Sequence, residues 1–171
     1  QLILRKNIDG IIRIFQQFHE MEAYKDIKLL IAGRGEEEAN LKKLVSELKL
    51  SESVRFLGFL PQQTLNKYIR ESLCFLINTR KDLNMVSIPE SIVSGTPILT
   101  NTQPASANYI KTYKLGIVQN QWGIPELEEI INNNSFYVKN CIAYRDNLAN
   151  SHIAQTFLDI FQDKKIAENI K

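Results

Sequence analysis

Short apolar runs alternate along the chain with stretches in which hydrophobic side chains return every three or four positions. Leu2 to Leu4 is a candidate first strand. Ile8, Ile11, Ile12, Phe15 and Phe18 then fall on one helical face, with Asp9 near the helix start. Ile27 to Ala32 predicts a second strand, ended by Gly33-Arg34-Gly35. The next helix opens with Glu36-Glu37-Glu38, where a helix dipole favours acids, and carries Leu41, Leu44, Val45 and Leu48. Val54 to Leu57 is a third strand closed by Gly58, and a helix with Leu65, Tyr68 and Ile69 follows Pro61. Leu73 to Ile77, Pro97 to Leu99 and Gly116 to Val118 complete the strands. A helix from about Val86 to Ser94 lies between the fourth and fifth, and a mainly helical tail from Glu126 is broken at Asn132-Asn133-Asn134.

Near-continuous apolar strands separated by amphipathic helices imply parallel strands covered on both faces. The expected fold is α/β: a doubly wound, mostly parallel, six-stranded Rossmann-like sheet with helices on both faces and a helical C-terminal tail. Residues 1–171 form one domain, without repeat or linker. Ligands of such sheets bind outside the carboxyl ends of the strands. The loops that begin at Arg5, Gly33, Gly58, Asn78 and Asn101 are therefore the ones that matter.

Composition narrows the class. With 21 Lys and Arg against 19 Asp and Glu, the chain lacks the basic excess of a nucleic-acid binder. Cys74 sits inside an apolar run and Cys141 is distant, so neither a disulfide framework nor a metal-ligand cluster is expected. A cytoplasmic setting fits two thiols and the lack of a membrane-length apolar stretch. The opening Gln1-Leu2-Ile3-Leu4 resembles the middle of a buried strand, so a fragment of a longer protein is expected. His19, on a helical pattern, and His152, in the tail, are taken as structural or exposed, and Trp122 with Ile124 as packing for the tail.

The most informative loop runs from Asn78 to Glu90. Asp82 and Glu90 lie eight positions apart, one before the predicted helix and one inside it. The leading amides of that helix, at Val86 and Ser87, have no intrahelical acceptor and suit a diphosphate. Pro89 falls in the first turn, where a missing N–H costs little. Glu90 can accept hydrogen bonds from ribose hydroxyls, and Asp82 faces the side where a sugar would lie, since acceptor-only carboxylates suit vicinal diols. The same spacing also describes a helix capped by Ser87 with a solvated Glu90.

Resemblance favours the first of these. The run Pro89-Glu90-Ser91-Ile92-Val93-Ser94-Gly95-Thr96-Pro97-Ile98-Leu99 resembles the signature of family 4 retaining glycosyltransferases of GT-B fold. Lys6-Asn7, Leu30-Ile31-Ala32-Gly33-Arg34-Gly35 and Val54-Arg55-Phe56-Leu57-Gly58 resemble further pieces of their donor domain, in the same order, over roughly residues 1 to 118. The resemblance implies that Glu90 matches the second acid of a Glu-x7-Glu motif, which binds the ribose, and that Asp82 takes the place of the first, which contacts the transferred sugar. It implies that Lys6 neutralises the diphosphate and that Val86 and Ser87 offer amides to phosphate. Arg5, Gly33 and Gly58 then line the nucleotide side. Departures are Asp82 for Glu, Met85 for a glycine, Gln1 for an arginine, and Pro104-Ala105 with Asn108 for paired glycines and Glu.

The implied function is glycosyl transfer from a UDP- or GDP-linked sugar, in surface polysaccharide synthesis, without a metal or other cofactor. An N-terminal acceptor-binding domain of the same protein would be the partner and would make any contact with the inner face of the cell membrane. This fragment alone is expected to be inactive. The alternative, drawn from the departures, is a degenerate, non-catalytic domain serving as a structural or partner-binding subunit. A receiver-like domain would want acids at strand ends, where this chain has Arg5-Lys6.

Overall fold

Parallel pairing is the direct outcome of the apolar runs. The computed structural model describes residues 1–81 and 85–148. Five strands occur among the described residues: β1 (Leu29–Ala32), β2 (Val54–Gly58), β3 (Phe75–Ile77), β4 (Ile98–Thr100) and β5 (Gly116–Val118). β1 pairs with β2, while β3, β4 and β5 form a second sheet in that order, and every pairing is parallel. The connecting helices are α1 (Ile8–His19), α2 (Glu38–Glu47), α3 (Gln62–Glu71), α4 (Ser87–Val93), α5 (Ala107–Thr112), α6 (Ile124–Asn132) and α7 (Asn134–Tyr144). His152 and the tail beyond Leu148 lie outside the described residues.

Strand alternation divides the core between two faces. On β4, Leu99 joins the cluster built by α1, α2 and α6, whereas its neighbour Ile98 joins the cluster built by α4, α5 and α7. Leu76 and Ile77 of β3, and Ile117 and Val118 of β5, separate in the same way. Helices therefore cover both faces, as a doubly wound sheet requires. On the first face the helical stripe is Ile11, Ile12, Phe15 and Phe18, all buried. On the second, Ile88 and Ile92 of α4 and Ile110 of α5 are fully buried.

The predicted first strand, Leu2 to Leu4, is not one, which leaves five strands in place of six among the described residues. Ile3 is extended, but Leu4–Lys6 is a single 3-10 turn that ends on Asn7 in the left-handed region at φ 55°. Leu2 is buried in the first core, yet its backbone pairs with a loop: its N–H donates to Arg34 O at 2.9 Å, and its carbonyl accepts from Glu37 N at 3.1 Å. Leu4 is already 61% exposed. The apolar pattern thus marks burial correctly, while the hydrogen-bond partners come from the turn after β1 rather than from a strand. Gly35 permits this crossing, because a Cβ there would stand 2.1 Å from the Leu2 carbonyl oxygen.

Side chains tie these layers together at a few points. The indole of Trp122 is buried and donates to Ile77 O at 2.8 Å, joining the start of α6 to the end of β3. Thr96 Oγ1, also buried, donates to Ile69 O at 2.7 Å, joining α3 to the turn between α4 and β4. Cys141 is buried and Cys74 half-buried. Desolvation pushes both thiols up to about 12.

Two measurements follow from this packing. Ile98→Ala is expected to cost about 2–5 kcal/mol in urea unfolding, and Leu73→Ala, at a position 43% exposed, less than about 1 kcal/mol. For the cysteines the native state holds the neutral thiol, so their contribution is complete below the unfolded thiol value of about 8.5 and is lost as pH rises from there towards 12. Stability should fall over that alkaline window, less so in a Cys141→Ser variant after allowance for its packing loss.

Candidate functional site

The turn before α1 and the loops at the carboxyl ends of β1, β2, β3 and β4 make up the candidate edge. The first carries Lys6, half-buried at the end of the 3-10 turn, and Arg5, whose side chain is exposed. The Arg5 carbonyl accepts from Arg80 N at 2.8 Å and from Thr79 Oγ1 at 3.0 Å, which moors this turn to the loop after β3. The Arg80 guanidinium completes the attachment. It donates to Leu4 O at 2.5 Å and pairs with the Asp9 carboxylate at 3.2 Å. Arg80 is therefore occupied in holding the turn.

The second and third loops are joined through two glycines. Gly33 N donates to Gly58 O at 2.7 Å, and both residues sit in the left-handed region, at φ 115° and 65°. A side chain at either position would be strained. Beside them opens a shallow cavity of about 590 Å³ lined by Gln1, Gly33, Arg34 and Phe59. Phe59 is 77% exposed. It was hidden in the sequence as one more apolar residue after β2, although Gly58, by ending the strand, turns the next side chain out.

The fourth loop leads into α4. Val86 precedes that helix and is 73% exposed, and Ser87 is its first residue. The Ile88 amide goes to Met85 O and that of Glu90 to Val86 O, while no side chain caps the helix start. Pro89 stands in the first turn, as the pattern predicts. Met85 is half-buried and packs against the second core. Glu90 is half-buried, and its Oε1 accepts from Gln62 Nε2 at 3.1 Å. Asp82 lies outside the described residues.

The fifth loop brings Asn101, which the sequence marks only as the start of that loop. It is buried and donates from Nδ2 to Thr79 O at 2.6 Å, while its Oδ1 has no hydrogen-bond partner among the described residues. Asn108, at the place of an expected Glu, is exposed on α5. Other polar residues serve the frame: His19 Nε2, at the end of α1, and Ser53 Oγ, just before β2, lie 2.7 Å apart. The edge thus offers cations at Lys6, Arg5 and Arg34, the start of α4, one carboxylate and an aromatic face. Such a set suits a ligand with a diphosphate, hydroxyls and a flat ring.

Known proteins bear on what that ligand is. The family model of glycosyl transferases group 1 matches residues 1–133. The chain belongs to this family. An uncharacterized glycosyltransferase of Haemophilus influenzae is 27% identical over 140 residues, covering 78% of this chain and 38% of that protein. The O-antigen biosynthesis glycosyltransferase WclY of Escherichia coli is 27% identical over 163 residues, covering 95% of this chain and 40% of that protein. This group 1 chain therefore spans about two fifths of the length of these relatives. The fold agrees with that of GT-B glycosyltransferases: the crystal structure of HepE from Anabaena with UDP-glucose is similar at TM-score 0.73 and 18% identity, over 93% of this chain and 47% of that one.

The mooring of the Lys6 turn can be measured in this glycosyltransferase chain. Because Arg80 and Asp9 are each more than two fifths exposed, Arg80→Ala should cost only about 0.2–1 kcal/mol through the pair. Adding Asp9→Ala to that variant should cost less than Asp9→Ala does in the native chain, as read by a double-mutant cycle in urea.

Proposed function

We propose that residues 1–171 form the donor-binding domain of a two-domain, family 4 retaining glycosyltransferase that uses a UDP- or GDP-linked hexose. The observation that carries the reading is the half-buried Glu90 carboxylate at the strand edge, within the segment matched by the family model and one turn inside α4. Glu90 grips the ribose hydroxyls. Lys6 and the leading amides at Val86 and Ser87 carry the diphosphate, and Asp82 contacts the transferred sugar. The base lies towards Gly33, Gly58 and the cavity beside Phe59. Negative charge grows on the departing diphosphate oxygen as the glycosidic bond breaks, and donors fixed in advance around that oxygen stabilise it without reorganisation.

Met85 supports donor binding over a degenerate, non-catalytic subunit. Its side chain is half-buried against the second core, which turns part of it away from the start of α4. The acceptor domain belongs to the remainder of the protein, and transfer requires closure of the two domains. The name of the Escherichia coli relative, an O-antigen biosynthesis enzyme, supports a role in surface polysaccharide synthesis. The setting is the cytoplasm, with the acceptor domain meeting the inner face of the membrane. Among the described residues no helix is long and apolar enough to cross a membrane.

Titration of the chain with UDP, GDP and ADP, followed by amide shifts or calorimetry, tests the reading. UDP or GDP should bind at millimolar concentration or below, and Glu90→Ala should weaken that binding about tenfold, the worth of a hydrogen bond to a charged group. Silence from all three nucleotides would remove the donor site.

A further inference from the structure

We propose that Gln62 is a positioning residue that holds the Glu90 carboxylate in the orientation needed to grip the ribose. The inference rests on the donor-site reading above and adds a residue to it. Gln62 is the first residue of α3, placed there by the turn at Pro61. Its side-chain amide donates to Glu90 Oε1 at 3.1 Å and to Asn66 Oδ1 at 2.9 Å. Asn66 lies one turn further along α3, so it takes up the second amide hydrogen and fixes the side chain that reaches α4.

The two helices are fastened at their other ends as well. The buried bond from Thr96 Oγ1 to Ile69 O joins the last turn of α3 to the residues just after α4. With that anchor below and Gln62 above, rotation of Glu90 away from the edge requires loss of a charge-assisted hydrogen bond. The chemistry of the amide matters too. A carboxylate has two oxygens that accept, and Gln62 engages Oε1, which leaves Oε2 to a diol. A lysine at position 62 would neutralise the carboxylate and compete with the sugar. A neutral amide orients the group and leaves its charge intact.

The test uses calorimetric titration of the 171-residue chain with UDP, GDP and their 2′,3′-dideoxy counterparts, in the native chain, Gln62→Ala, Gln62→Glu, Glu90→Ala and the double alanine variant. Gln62→Ala should weaken the ribose nucleotide about fivefold, in keeping with one hydrogen bond. Gln62→Glu, which sets like charges together, should weaken it further. Neither change should alter the affinity for the dideoxy nucleotide. In the Glu90→Ala background, Gln62→Ala should add less than about twofold, because a residue that acts through another loses its effect when the other is gone.

The possible failures are separable. If native chain binds UDP or GDP and Glu90→Ala weakens it, but both Gln62 variants match the native chain, the positioning role is wrong and the donor site stands. Equal weakening of ribose and dideoxy nucleotides would assign Gln62 a general structural part and overturn the inference. A native chain that binds no nucleoside diphosphate would end both readings.

Discussion

The carbonyl of Arg5, accepting from Arg80 N and Thr79 Oγ1, is the contact on which the functional edge depends. The N-terminal segment has no strand partner of its own among the described residues. It enters through the Leu2 bonds to Arg34 and Glu37, crosses Gly35, and reaches the end of β3 as a single turn. The Arg5 contact, with the Arg80 bond to Leu4 O, holds the turn that leads into α1 and carries Lys6. With it, the only charged residues of the first seven, Arg5 and Lys6, are carried to the loop from which α4 starts. The Arg80–Asp9 pair adds direction more than energy, since both partners are partly hydrated.

Around that contact, rigidity comes from packing on two sides of the second sheet. Adjacent residues of β4 belong to opposite cores, so neither face can slip without opening the other. Three-residue strands make few ladder bonds, and their persistence rests on side chains such as Ile98 and Leu99 buried above and below. The carboxyl ends of these strands are consequently fixed points. Loops mounted on fixed points can be irregular and still hold their polar groups in register.

Much of this architecture is legible in the residue order. Periodicity located the buried faces of α1, α2 and α3 and all five strands to within two residues, because both signals are written by burial, while the short α5 gave no such signal. It failed at Leu2–Leu4, where burial and strand pairing separate: Leu2 is interior, but its hydrogen bonds go to a turn. Glu90 and the start of α4 were visible because the residues that define them are consecutive. Gln62 was not, and Asn101 was visible only as the start of a loop, since their contacts arise only when α3 meets α4 and β4 meets β3. No spacing along one segment encodes a contact across two. Phe59 escaped for a simpler reason, its hydrophobicity matching that of the strand it follows.

The bond from the Trp122 indole to Ile77 O has a practical consequence. Trp122 is the single tryptophan of the sequence, and it is buried where α6 meets the end of β3. Its emission is thus a built-in optical gauge of one seam, between the sheet and the C-terminal helices. A red shift without loss of far-ultraviolet ellipticity would register that seam parting while the secondary structure endures, and so would distinguish detachment of the helical end from unfolding of the whole chain.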